Sequence, residues 1–304
     1  MNSILLSAAI LQAAHMGVWY PKGAQLNSLL QSAYSDSLII NPDVDRVVRG
    51  IIVPHAGYTF CVRTSMNAFR NIDPNQYDRV IVLGPSHHMA IRYCTIADAT
   101  SAETPYGEIP FDIEGAQELL NNYPKLFKKL DRSTASNEHS LEMEFPLLKF
   151  VCKSKPFKII PIMVGSLSYQ ACKDVAEALS QYVDDSRTLF VISSDFCHWG
   201  SRFGYQYLPP DEDENLQIYQ RIKKLDKQGA DMIATGDPET FLEYIEETEN
   251  TICGRIPILV IMNLFKNKGM SATFPAYSQS ERITSMYDSS VSYFAGIITI
   301  KKDD

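Results

Sequence analysis

Short apolar runs alternate with amphipathic stretches along most of this 304-residue chain. Four of the runs are four to eight residues long and rich in β-branched residues, a pattern typical of buried strands. The predicted strands are residues 47–53, 79–83, 157–164 and 188–193. Two longer β-rich segments, 271–278 and 290–300, alternate Ser and Tyr with apolar residues and are joined by a polar loop. We expect these last two segments to be antiparallel strands.

Apolar residues at helical spacing predict helices before, between and after these strands. The predicted helices are residues 25–33, 114–121, 138–151, 167–182, 216–234, 238–247 and 257–266. Strands that alternate with helices favour an α/β fold with a central sheet, here a mixed sheet flanked by helices. No long Gly/Ser/Pro linker interrupts the chain, so we expect one domain over residues 1–304.

Composition and charge narrow the class of protein. The chain is 45% hydrophobic and 21% charged, as in globular proteins, and its net charge is −8 with no basic stripe. Because nucleic-acid binding needs clustered Lys and Arg, we exclude that function. The acidic stretches at 209–214 and 243–249 and the acidic tail are interpreted as solvated surfaces.

Cysteine spacing and apolar run lengths bear on location. The six cysteines include no CxxC pair, which favours reduced thiols and a cytoplasmic protein, with the nucleus as a second location. Residues 4–14 are apolar but no Lys or Arg precedes them, so we interpret them as a segment packed on the body rather than a signal peptide. The longest later apolar run, 256–265, is too short for a membrane span, which needs about 20 residues.

The six histidines all lie in short polar clusters, and several of these clusters directly follow predicted strands. The clusters are HMGVWYP with His15, PHAGY with His55, GPSHH with His87 and His88, NEHSLEMEFP with His139, and SSDFCHWG with His198. Ligands gather at the carboxyl ends of strands in open α/β sheets, and histidine is the commonest metal ligand. The pattern predicts one histidine-built pocket.

Local chemistry suggests a functional role for each cluster, and an ordinary structural role is the alternative in each case. Pro54 ends a strand and presents His55, although a lone loop histidine is more often structural. Adjacent side chains in GPSHH point apart, so both imidazoles of that pair cannot easily face one ion. Asp195 is a candidate for orienting an imidazole, and His198 is a candidate ligand or proton-transfer group.

Two further stretches carry reactive groups. Cys253 in NTICGRIP is by default a buried inert thiol, but Arg255 and the glycine turn favour a thiolate, which is a soft metal ligand. Glu138, His139 and Glu142 share a predicted helical face. They line a pocket rim or, equally well, form an ordinary acidic first turn of a helix.

Taken together and in order, seven motifs resemble the Memo family (mediator of ErbB2-driven cell motility). They are HMGVWYP, IIVPHAGYTFC, VIVLGPSHH, EHSLEMEFP, ISSDFCHWGSRFGY, NTICGRIPI and DSSVSYFAG, and they span residues 15–296. That family is similar to the class III extradiol dioxygenases, which are non-haem iron enzymes. The resemblance implies an extradiol-dioxygenase-like α/β domain with iron or copper held by His55, His87 and Cys253. His198 falls where those dioxygenases keep an acid–base histidine, and His88 becomes a neighbour of the ligands.

The third ligand position departs from the dioxygenase pattern. Those enzymes use two histidines and a carboxylate, whereas this chain carries Cys253. Thiolate is softer, suits copper(I) as well as iron or zinc, and is itself oxidisable. The resemblance also implies redox activity and recognition of phosphotyrosine-containing segments, as in the animal members of the family.

Three functions follow from these residues. The first is a metal-binding redox protein in which His198 moves a proton and Asp195 shapes the surroundings of the metal, with catalysis left open. The second is a non-enzymatic signalling module that binds a peptide or phosphopeptide in the same pocket. The third is a hydrolase that uses Cys253, His198 and Asp195. The expected pocket lining is His15, Trp19, Tyr58, His88, His139, Trp199 and Arg255.

Overall fold

The computed structural model describes residues 9–153, 155–210 and 216–302. The strands in these residues are β1 (Ile10–Leu11), β2 (Arg46–Val53), β3 (Arg79–Pro85), β4 (Cys94–Ala97), β5 (Ser101–Ala102), β6 (Ile109–Pro110), β7 (Phe127–Leu130), β8 (Lys158–Val164), β9 (Thr188–Ser193), β10 (His198–Trp199), β11 (Ser271–Gln279) and β12 (Ser290–Lys301). The helices are α1 (Gly23–Asp36), α2 (Tyr58–Phe69), α3 (Ile113–Asn122), α4 (Arg132–Ala135), α5 (His139–Glu142), α6 (Phe145–Val151), α7 (Tyr169–Leu179), α8 (Gln181–Asp184), α9 (Ile218–Ala234), α10 (Pro238–Thr248) and α11 (Arg255–Phe265).

A mixed sheet forms the centre of the molecule. Within the described ranges it has nine strands, in the order β10-β12-β2-β9-β3-β8-β4-β7, and β11 pairs with β12 outside that path. The neighbours β2, β9, β3 and β8 are parallel, whereas β12 runs antiparallel to both β2 and β11. The predicted α/β fold with a mixed sheet and antiparallel closing strands is confirmed. Three short strands form a second sheet in the order β1-β5-β6, and β6 of this sheet lies next to β8.

Helices cover both faces of the large sheet, and the alternation of side chains along β3 shows how. Ile81 and Leu83 pack into a core that includes residues of α7, α9, α10 and α11. Val80 and Val82 pack on the opposite face with residues of α1, α2 and α6. Successive side chains of a strand point to opposite faces, so a fully apolar strand marks a sheet that is buried on both sides.

The sequence did not predict the short elements β1, β4, β5, β6, β7, β10 and α4. Three further differences concern the longer helices. The helix expected over 138–151 is two helices, α5 and α6, because Pro146 lacks a backbone N–H and is found in the first turn of α6. The helix expected over 167–182 ends at Leu179 and is followed by the short α8. The helix α2 was not predicted, since its Thr, Ser, Cys and Val residues are weak helix formers.

Parts of some sequence interpretations lie outside the described residues. Of the apolar segment 4–14, residues 9–14 are described, and Leu11 of β1 is buried, as a packed segment requires. Most of the acidic stretch 209–214 and the last two residues of the tail are not described. Across the described parts of the chain, every helix is too short or too polar to cross a membrane.

Candidate functional site

The carboxyl ends of three neighbouring strands bring the first site residues together. His55 follows the end of β2, His87 follows β3, and Asp195 follows β9, which lies between them. Because these strands are parallel, their carboxyl ends meet at one edge of the sheet. These residues therefore lie at the carboxyl edge of the sheet, where the sequence predicts the pocket.

Three imidazoles form the centre of the site. One ring nitrogen from each of His55, His87 and His139 lies within 4.8 Å of the others. The ring centroids of His55 and His87 are 5.1 Å apart, and those of His87 and His139 are 4.5 Å apart. His55 is buried, whereas His139 is half-buried and His87 is exposed, so the group opens to solvent on one side. The sequence interpretation gave His139 only a lining role.

Cys253 lies beside His55, on a loop that approaches the end of β9. Its Sγ is 3.2 Å from His55 Nε2, and it accepts a hydrogen bond from the Asp195 backbone N–H at 3.2 Å. A Cβ at Gly254 would lie 2.4 Å from Ser194 Cβ, so only glycine permits this approach. The structure thus brings His55 near both His87 and Cys253.

Two glutamates of one short segment each hold an imidazole by its Nδ1. Glu138 Oε1 lies 2.8 Å from His87 Nδ1, and its Oε2 accepts the His87 backbone N–H at 2.7 Å. One turn later, Glu142 Oε2 lies 2.8 Å from His15 Nδ1. An imidazole whose Nδ1–H is bound to a carboxylate offers Nε2 to a metal or a substrate.

Burial and hydrogen bonds together determine the protonation states of His55, His139 and Glu138. Burial lowers the pKa of His55, and the neighbouring imidazoles lower it further. Burial and the nearby His87 lower the pKa of His139 to about 4. Burial alone would raise the pKa of Glu138, but the hydrogen bonds from His87 and Ser140 outweigh it and lower the pKa to about 2. Neutral His55 and His139 rings are the forms that metal binding requires, because a ligating imidazole must be deprotonated.

Asp195 and His198 lie next to this group. Asp195 Oδ1 accepts the His55 backbone N–H at 2.9 Å, and burial raises the pKa of Asp195 to about 7 against the backbone hydrogen bonds. The His198 backbone N–H donates to Thr251 Oγ1 at 2.7 Å, and its ring Nδ1 lies 2.9 Å from the Phe196 carbonyl oxygen. Burial lowers the pKa of His198. His198 is outside the three-imidazole group.

Three of the expected lining residues have rings close to the His139 ring. The Trp19 ring centroid is 4.4 Å from that of His139, and the His15 and His88 centroids are 5.9 and 6.2 Å from it. These residues form an aromatic rim on the open side of the group.

Three expectations need correction. Tyr58 and Trp199 are almost completely buried, and Tyr58 Oη donates to the Met143 carbonyl while Trp199 Nε1 donates to the Tyr207 carbonyl. They therefore belong to the core rather than to a pocket wall. Arg255 is exposed and donates to the Ile252 carbonyl. It does not promote a thiolate, because burial and the nearby Asp195 raise the pKa of Cys253.

Four contacts of the site were not foreseen. The i,i+4 spacing of Glu138 and Glu142 pointed to a shared face but not to their separate imidazole partners. Ser193 Oγ lies 2.8 Å from His55 Nδ1 and 2.8 Å from Glu144 Oε1. These partners are distant in sequence and no local motif joins them, so only the folded structure shows their contact.

Comparison with known proteins agrees with the motifs. Residues 12–297 match the profile of the family described as Memo-like protein. The chain is 39% identical to mouse (Mus musculus) protein MEMO1 and 38% identical to human (Homo sapiens) MEMO1, in each case over 95% of this chain and 97% of the relative. It is 36% identical to the memo-1 homolog of Caenorhabditis elegans over 95% of this chain and 82% of that protein.

One solved structure supports the fold. The crystal structure of an uncharacterised protein from Escherichia coli K12 aligns with a TM-score of 0.54 and 12% identity, covering 84% of this chain and 100% of that one. At this identity the likeness concerns the architecture of the sheet and its helices.

Proposed function

This chain belongs to the Memo-like protein family, and on that premise we propose that it binds one iron or copper ion at the carboxyl edge of its sheet. The proposed ligands are His55, His87 and Cys253. The observation that carries the proposal is the convergence of His55 and His87 with His139, one ring nitrogen of each lying within 4.8 Å of the others. Cys253 is not a member of that group, and it enters the proposal through the 3.2 Å contact of its Sγ with His55 Nε2.

The donor set fits such an ion. Imidazole suits iron and copper, and a thiol suits copper(I) once it is deprotonated. Donor atoms that share an ion with bonds of about 2.0–2.3 Å lie roughly 3–4 Å apart. The 3.2 Å between Cys253 Sγ and His55 Nε2 is in that range. His139 is the alternative third donor.

We propose a redox role for the bound ion, which would supply one-electron chemistry or activation of a substrate. Around it, Trp19 and the imidazole rings would hold a substrate by stacking. His198, anchored at its Nδ1 by the Phe196 carbonyl, would present Nε2 for proton transfer. Asp195 would keep the His55 backbone in place through its accepted hydrogen bond.

The cysteines bear on the cellular location. All six are free thiols within the described residues, as expected in a reducing compartment. We propose the cytoplasm, with the nucleus as a second location.

Anaerobic titration of metal-free protein with Fe(II) and with Cu(I) tests the proposal. We expect one equivalent to bind, and we expect His55→Gln and His87→Gln each to weaken binding by 10-fold or more, roughly. His88→Gln is the matched control, because His88 is adjacent in sequence but outside the three-imidazole group. Absence of tight binding, or equal loss in the control, would refute the proposal.

The third donor is decided by a second pair of variants. If Cys253 is a ligand, Cys253→Ser removes the sulfur-to-metal charge-transfer absorption of the loaded protein, while His139→Gln retains it. If instead His139→Gln weakens metal binding and Cys253→Ser does not, His139 is the third donor.

A groove beside the site supports a second candidate function. Residues 16–22 line it together with Ser32, Thr59 and Arg63, and Trp19 belongs to both the groove and the aromatic rim. A peptide or phosphopeptide lying there would contact Trp19 and Lys22. This function predicts phosphopeptide affinity that survives the His55→Gln and His87→Gln substitutions.

The hydrolase alternative has less support. A cysteine nucleophile needs a thiolate, and burial raises the pKa of the Cys253 thiol. Its Sγ lies 3.2 Å from the imidazole of His55, which is not a member of the proposed triad. Equal labelling of Cys253 and the other cysteines by a thiol-directed acyl probe would dismiss this function.

A further inference from the structure

A buried chain of polar groups extends from His55 away from the proposed metal. His55 Nδ1 lies 2.8 Å from Ser193 Oγ. The same oxygen lies 2.6 Å from the Ser140 carbonyl oxygen and 2.8 Å from Glu144 Oε1. Ser193, Ser140 and Glu144 have no exposed surface, and His55 is 2% exposed. Bulk solvent therefore donates no hydrogen bond to these groups.

The number of hydrogens decides which group donates in each contact. A serine hydroxyl carries one hydrogen and accepts through two lone pairs, whereas a carbonyl oxygen only accepts. The contact with the Ser140 carbonyl therefore takes the single hydrogen of Ser193. Ser193 Oγ then acts as an acceptor toward its other two neighbours, so His55 Nδ1 and Glu144 Oε1 both carry a hydrogen.

The opposite arrangement leaves groups unsatisfied. If Glu144 were ionised, it would take the Ser193 hydrogen, and the Ser193 and Ser140 oxygens would face each other at 2.6 Å with no hydrogen between them. The second carboxyl oxygen, Oε2, is buried and has no hydrogen-bond partner among the described residues. Burying an ionised carboxylate with so few partners costs far more than burying the neutral acid.

We infer that Glu144 is an undissociated carboxylic acid that donates to Ser193 and, through it, holds His55 as the Nδ1–H tautomer. Glu144 and Ser193 are then positioning residues. They leave the Nε2 lone pair of His55 directed at Cys253 Sγ, on the side of the proposed ion. The role of Glu144 and Ser193 in positioning His55 for an ion rests on the proposed metal site, whereas the protonation state of Glu144 does not.

The electrostatics of the interior point the same way. Burial raises the pKa of Glu144, the hydrogen bond with Ser193 opposes that change, and the nearby Asp195 adds to it. Asp195 accepts backbone N–H groups that oppose the effect of its own burial, whereas Glu144 Oε2 accepts none among the described residues.

Infrared difference spectroscopy of the metal-free protein at neutral pH tests the inference. We expect the carbonyl band of an undissociated carboxylic acid in the wild type that disappears in Glu144→Gln. Identical spectra in that region would mean that Glu144 is ionised and would overturn the inference. The experiment involves no metal, so it decides the state of Glu144 even if the protein binds none.

Substitutions with Fe(II) or Cu(I) titration separate donation from packing. Glu144→Gln keeps an N–H that donates to Ser193, so we expect its affinity to match the wild type. Glu144→Met is similar in shape but has no donor, and it should bind about 10–100-fold more weakly, as should Ser193→Ala. Equal losses in the Gln and Met variants would show that the donor is irrelevant and would also overturn the inference.

Thr95→Val is the matched control for loss of a buried hydroxyl. Thr95 lies in the same sheet, and its Oγ1 has no partner among the described residues. We expect its metal affinity to be unchanged. Nitrogen NMR of the metal-free wild type should show His55 protonated at Nδ1, and a shift toward a mixture of tautomers in Ser193→Ala. Failure of the wild type to bind metal would refute the proposed function alone.

Discussion

At the scale of single residues, the site is organised by the Nδ1 atoms of its histidines. Four Nδ1 atoms each have a partner at 2.8–2.9 Å: Glu142 for His15, Ser193 for His55, Glu138 for His87, and the Phe196 carbonyl for His198. Fixing one nitrogen of an imidazole determines what the other presents. The histidines themselves were predictable because polar clusters follow apolar strands, but their partners were not, because distant segments supply them.

The bond between Glu138 and His87 gives a prediction about metal affinity. Glu138→Gln replaces a carboxylate that accepts both the ring and the backbone N–H of His87, so His87 becomes less basic and less fixed. We expect about 10–100-fold weaker Fe(II) or Cu(I) binding, measured by competition with a chelator. Glu142→Gln is the control, since Glu142 holds His15 instead. Equal affinities for the two variants would contradict this account of Glu138.

At the scale of elements, the short helix α5 begins with His139 and packs against β3, so it brings this imidazole to the edge of the sheet. The sequence predicted one helix over 138–151, and the structure has two helices in this segment. The helical spacing of apolar residues was correctly interpreted, but the effect of Pro146 on where a helix begins was missed. The division matters for the site because α5 ends early, which leaves the Ser140 carbonyl as an acceptor for Ser193. Likewise α2 was missed because tertiary packing, rather than the helix propensity of its residues, stabilises it.

Close packing between β3 and α5 predicts the effect of a single methyl group. A Cβ at Gly84 would lie 2.7 Å from Ser140 Oγ and 3.0 Å from Leu141 Cδ2. We expect Gly84→Ala to lower the free energy of unfolding by about 1–3 kcal/mol in urea denaturation. Adding Ser140→Ala removes the nearest atom and should restore part of that loss. A single variant as stable as the wild type would show that β3 and α5 are not closely packed here.

The attachment of α9 to the loop before His198 predicts a pH dependence. Asp226 of α9 is fully buried, accepts the Cys197 backbone N–H and the Tyr277 hydroxyl, and has its pKa raised by burial to about 6. In the unfolded chain this carboxyl releases its proton near the ordinary aspartate pKa of 3.8. The folded state therefore binds more protons between these values, and stability falls as pH rises from about 4 to about 6.

Urea unfolding across that pH range measures the effect. A gap of roughly 2 pKa units corresponds to a contribution of about 3 kcal/mol from Asp226, and Asp226→Asn should reduce the pH dependence of the wild type by that amount. Asp231→Asn, on the exposed face of the same helix where Asp231 pairs with Lys227, is the control and should retain it. A slope shared by all three proteins would assign the pH dependence to other groups.

At the scale of the whole molecule, the parallel strands bring together residues that are far apart in the chain. The strands β2, β9 and β3 are neighbours although their sequence positions are distant, and their carboxyl ends supply His55, Asp195 and His87. The α/β class and the mixed sheet were predictable from alternating periodicity. The order of the strands and the entry of His139 from α5 were not, because both depend on packing between elements that no local pattern encodes.

Anomalous diffraction from crystals loaded with Fe(II) or Cu(I) tests the central claim most directly. We expect one metal peak at about 2.0–2.3 Å from a ring nitrogen of His55 and of His87, with Cys253 Sγ at a similar distance. A metal peak bound elsewhere on the molecule, or loaded crystals in which these histidines coordinate nothing, would contradict it.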